Sequence, residues 1–126
     1  MAIPYSRAYL VIGSLYLLIG IVFGMYMGGT SNYTLAPVHA HINLLGFTLM
    51  AIFGLVYRQI PDMGRTLTGK LHFWLFQIGA LLLLIVLYLI VSETVSPATF
   101  GPVIMLSELI VLASLIAFAI NLFRHA

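Results

Sequence analysis

Two histidines separated by one residue, His39-Ala40-His41, stand with Asn43 in an otherwise apolar stretch. Neutral imidazole is the commonest protein ligand for a metal, through whichever ring nitrogen carries the lone pair. Residues two apart on a helix point about 200° away from each other. The pair therefore cannot chelate one ion from a single helix. It addresses two neighbours, one on each flank, which suits two sites or one site shared between copies. The plainer reading is a pair of histidines near the membrane surface, bonded to backbone or water.

Glu108 is the second candidate, because a carboxyl at membrane depth needs a partner. Counted from Pro102, it lies about 9 Å inside its helix, near the depth of His41. A local bond to Ser107 or to a backbone carbonyl would satisfy it. A proton path, or a position in the second shell of a bound cofactor, is the sharper reading. His72 opens the third apolar run, on the opposite side from His41, and reads as an interfacial residue. His125 lies in the tail and carries no signal. Gly20, Gly24 and Gly28 recur every four residues, which suits close helix packing or a flat groove for a planar cofactor.

The elements that hold these residues follow from composition. Charged residues make up 6% of the 126 and apolar residues 63%, whereas soluble domains carry about 25% charged. Eight charges cannot cover a water-facing surface, which excludes a soluble domain, a disordered chain and a nucleic-acid binder. The absence of Cys excludes disulfides, thiolate metal sites, iron–sulfur clusters and covalently attached haem. A bilayer-spanning helix needs about 20 apolar residues. Four runs meet that length: Ala8 to Met27, Pro37 to Tyr57, Leu71 to Val91 and Pro102 to Phe123. The expected fold is all-α, a single four-helix transmembrane domain over 1–126 with no cleavable signal peptide. Tyr5, Tyr9, Tyr26, Tyr33, Tyr57 and Trp74, at the run ends, read as interfacial anchors.

Arg7, Arg58, Arg65, Lys70 and Arg124 all fall on one side of such a bundle. The positive-inside rule makes that side, with both termini, cytoplasmic. The expected location is the inner (cytoplasmic) membrane of a bacterium.

Val38-His39-Ala40-His41-Ile42-Asn43-Leu44-Leu45 resembles the second-helix motif of subunit I in the haem–copper oxidase and nitric oxide reductase family. There a His followed by x-Asn ligates the low-spin haem, so the resemblance implies His41 as a ligand, with Asn43 and Leu44 also matching. Lys70-Leu71-His72-Phe73-Trp74-Leu75-Phe76-Gln77-Ile78-Gly79 resembles the start of that subunit's eleventh helix, whose His is not a haem ligand. His39-Ala40-His41 also resembles the His-x-His of the family's tenth helix, whose two imidazoles serve different haems on opposite flanks. The twelve helices of that subunit form three arcs of four, and this chain resembles one arc.

The resemblance implies non-covalent haem b, with His39 and His41 as axial ligands contributed by different copies of a homotrimer. Two axial histidines leave no open iron position, so electron transfer or redox and gas sensing fits better than oxygen chemistry. No set of histidines matches the family's copper site, so terminal oxidase activity is not expected. The family's arginine pair near the haem propionates has no counterpart either, because every Arg is placed at the cytoplasmic side. The redox partner is unknown. Two alternatives from other classes are a non-haem accessory or assembly subunit of a respiratory complex, and a metal or proton conduit using Glu108 and the histidines.

Overall fold

The computed structural model describes residues 4–126. Four long helices form the chain: α1 (Tyr5–Thr30), α2 (Ala36–Gln59), α3 (Leu67–Val91) and α4 (Pro97–His125). Each is long and apolar enough to cross a membrane, so the protein is an all-α bundle consistent with four spans.

Local chemistry sets the ends. Ser31 takes a left-handed conformation (φ 54°) and stops α1. Pro37 lies in the first turn of α2, where its missing N–H is harmless. Thr66 caps α3, its Oγ1 accepting from Gly69 N at 3.0 Å. Pro97 occupies the first turn of α4 and Pro102 lies inside that helix. The fourth helix therefore starts five residues earlier than the expected Pro102, so Glu108 lies about 16 Å from its start, by the helical rise, rather than 9 Å.

The helices pair as α1 with α2 and α3 with α4. Tyr5 meets Tyr57 and Phe73, and His72 meets Phe118, which places both chain ends and the α2–α3 connection at one end of the bundle. All five cations lie at that end or in its first helical turns. There a short 3₁₀ turn, Pro61–Arg65, is strapped to α4 by Asn121, whose amide donates to the Met63 carbonyl at 2.9 Å. Gly69 lets α3 pass that same carbonyl, since a Cβ there would collide with it.

The main core lies at the same end, where Tyr9, Phe53, Tyr57, Phe73 and Phe76 interlock. A smaller cluster of Val38, Ile42, Leu83 and Leu84 joins α2 to α3 nearer the far end. Between the two clusters, α2 loosens. Ile42–Leu49 is π-helical, with ordinary α-helix before and after. Such segments are rare beyond a single turn and concentrate at functional sites.

Candidate functional site

The π-helical segment starts immediately after His41 and contains Asn43. The two histidines on its N-terminal flank face different surroundings. His39 is half-buried against α1, and a Cβ at Gly24 would come within 3.0 Å of its ring. His41 is exposed on the outside of the bundle.

Both rings are anchored in the same way. His39 Nδ1 lies 2.8 Å from the Gly20 carbonyl, and His41 Nδ1 lies 2.7 Å from the Pro37 carbonyl. A carbonyl oxygen only accepts, so each Nδ1 carries the proton and donates it. In a neutral imidazole the lone pair then sits on Nε2. This is the tautomer and support that metal-ligating histidines adopt.

Their Nε2 atoms differ. That of His41 faces outward and has no partner among the described residues. That of His39 accepts from the Asn43 amide over a long 3.3 Å. Asn43 Oδ1 is buried with no hydrogen-bond partner and lies against Gly20, where a Cβ would collide with it. Gly20 and Gly24 thus serve close packing against Asn43 and His39, whereas Gly28 has open space around it.

The donor chemistry fits haem iron at His41 as it stands. At His39 the Nε2 lone pair is already taken up by the Asn43 amide. Within one copy the two rings lie on different sides of α2, so a bis-histidine iron needs ligands from two copies. Among the described residues, no group of three or more His, Asp or Glu gathers as a metal cage.

Glu108 is exposed on the outer surface of α4. The only ion pair among the described residues joins Arg65 to Asp62, so Glu108 has no cationic partner. Ser107 does not serve it either; its hydroxyl donates to the Ile104 carbonyl at 2.6 Å.

His72 is the residue that sequence reasoning misplaced. It is fully buried, at 0% exposure, rather than interfacial. The hydroxyls of Tyr9 and Tyr57 converge on its Nδ1, each at 2.9 Å, and its Nε2 is buried without a partner. Phe53 and Phe118 close over the ring, with centroids 4.5 and 4.9 Å away. Tyr5, Tyr9 and Tyr57 accordingly belong to the core instead of the membrane interface, while Tyr26, Tyr33 and Trp74 are exposed as expected. The available signal was spacing: Tyr5/Tyr9, Phe53/Tyr57 and His72/Phe76 are i, i+4 pairs on three helices at one end of the bundle.

No protein-family model, curated protein or solved structure matches this chain.

Proposed function

We propose that the protein is a b-type haem-binding membrane protein in which histidines from two copies hold each iron. The observation that carries the reading is the placement of His39 and His41, each with Nδ1 on a backbone carbonyl, in the turn where α2 becomes π-helical; the Nδ1 bond alone is not distinctive, since His125 makes it to Asn121. The π-helical segment beside them and the resemblance to oxidase subunit I point the same way.

In this reading His41 would offer its lone pair beyond its own bundle, and His39 of a neighbouring copy would supply a second imidazole. Asn43 holds His39 Nε2 until that ligand is needed. Bound there, haem would supply one-electron redox chemistry, and two imidazole ligands would favour electron transfer or redox and gas sensing over oxygen reduction. Three copies in a closed ring give twelve helices and three equivalent sites, with one haem per chain. Under the positive-inside rule the five cations favour a cytoplasmic position for the end bearing both termini, and this reading puts the site toward the outer face of a bacterial cytoplasmic membrane. Propionates there depend on hydroxyls, backbone amides and water.

The test is the optical spectrum of the full chain purified in detergent. A Soret band with a sharp α-band on reduction supports the reading, and a colourless, fully assembled protein overturns it.

A further inference from the structure

The outer surfaces of α2 and α4 carry matched stripes. His41, Leu44, Thr48, Ile52 and Leu55 are exposed along α2, and Met105, Glu108, Leu112, Ile116 and Ala119 along α4, with the same 3-4-4-3 spacing. Each stripe is apolar except for His41 and Thr48 on one, and Glu108 on the other. Ionisable residues in spanning helices face the bundle interior or a water-filled cavity and pair with polar partners. Glu108 does neither within one copy, so its own chain leaves the site incomplete.

Depth identifies the partner. Gln77 Nε2 lies 3.6 Å from Met50 Sδ, which brings α2 and α3 into register at that level. A Cβ on Gly79 would meet Ile110 and Val111 at 2.9 Å, which brings α3 and α4 into register one half-turn further out. Counting helical rise from these fixed points, Thr48 lies about 3 Å outward of Met50 and Glu108 about 7 Å outward. His41 is further out again, by less than the α-helical rise would give, because Ile42–Leu49, between it and Met50, is π-helical. Glu108 therefore falls in depth between the two polar residues of the α2 stripe.

We infer that the α4 stripe of one copy packs on the α2 stripe of the next, with the Glu108 carboxyl accepting the Thr48 hydroxyl just inside the His41 layer. The occupant is a second copy of this chain, because its own α2 presents hydrogen-bonding side chains at the right depth on an otherwise apolar face. The contact is heterologous: α4 meets α2 rather than α4. Such contacts close into a ring when the rotation permits. His41 Nε2 stays free for another ligand, since Thr48 takes the carboxyl. The inference rests on the self-association in the proposed function and is independent of haem.

The chain has no Cys, so introduced thiols report on chosen positions alone. Full-length chains carrying Thr48→Cys and Glu108→Cys, distinguished by tags of different mass, are co-expressed and oxidised in the native membrane. The expected product is a cross-link between the two differently tagged chains. Leu55→Cys paired with Glu108→Cys is expected to give none, because Leu55 lies on the same stripe but on the other side of Met50 in depth. No Thr48–Glu108 product overturns the inference. So does a dominant Glu108–Glu108 product, which indicates a two-fold contact, or equal cross-linking from position 55. The absorbance of the same membranes separates the two readings. A cross-link in colourless protein leaves the interface standing and removes the haem, and coloured protein without the cross-link does the reverse.

Discussion

His41 donates its Nδ1 proton to the carbonyl of Pro37 over 2.7 Å, four residues back on the same helix. The bond ties the imidazole to the first turn of α2 and directs Nε2 away from the bundle. Because this residue is exposed, its anchoring and its proposed ligation separate cleanly. Compared as haem-free proteins, His41→Ala and the parent are expected to agree in thermal stability within about 0.5 kcal/mol, as for other surface substitutions. The substitution should remove the haem spectrum. Thermal unfolding of the haem-free proteins and absorbance as purified check both halves.

His39 differs because it packs into the α1–α2 contact. His39→Ala removes the second hydrogen bond to the Gly20 carbonyl, leaves the Asn43 amide without His39 Nε2 and empties the space beside Gly24. A loss of roughly 1–3 kcal/mol is expected, together with loss of haem. Unfolding monitored by circular dichroism should show it, and a His39→Ala protein as stable as the parent would contradict the packing described here.

The glycines separate in the same way. Gly20→Ala drives a Cβ into Asn43 Oδ1, and Gly46→Ala drives one to 2.6 Å from the Tyr16 ring. Each is expected to destabilise by about 1–3 kcal/mol through overpacking. Gly28 meets nothing within 4 Å, so Gly28→Ala should be neutral or stabilising by up to about 1 kcal/mol from lost backbone freedom in the unfolded chain. The order of melting temperatures across the three variants tests this.

The buried imidazole of His72 yields a coupling prediction. Tyr9→Phe or Tyr57→Phe alone leaves one hydroxyl on Nδ1 and should cost about 1 kcal/mol or less. The double variant leaves both ring nitrogens unpaired in a dry core and should cost about 1–3 kcal/mol more than the two singles together. A double-mutant cycle measures the coupling, and strict additivity would contradict the convergence of both hydroxyls on one ring nitrogen.

The four spans were legible because a membrane demands an apolar run of fixed length, and hydropathy reports that demand directly. The start of α4 was not. Pro97 and Pro102 both suit a first turn, and only the packed helix shows that Pro102 is tolerated inside. Tyr9 and Tyr57 looked like interfacial anchors because an aromatic at a run's end reads the same whether it points to lipid or inward to His72. The π-helical segment left no mark in the hydrophobic pattern either, since every residue from Ile42 to Leu49 except Asn43, Gly46 and Thr48 is a large apolar one. At the site, opposite flanks for His39 and His41 followed from helical geometry. Their carbonyl anchors depend on Gly20, on another helix, and on the local turn at Pro37, which spacing alone does not reveal.

The most direct test of the central claim is the reduced-minus-oxidised difference spectrum of the parent protein and of His41→Ala, each with haem counted per chain. The account predicts a bis-histidine b-type spectrum near one haem per chain in the parent, and its loss in a variant that still folds. Full haem content in folded His41→Ala, or a parent without haem, would contradict it.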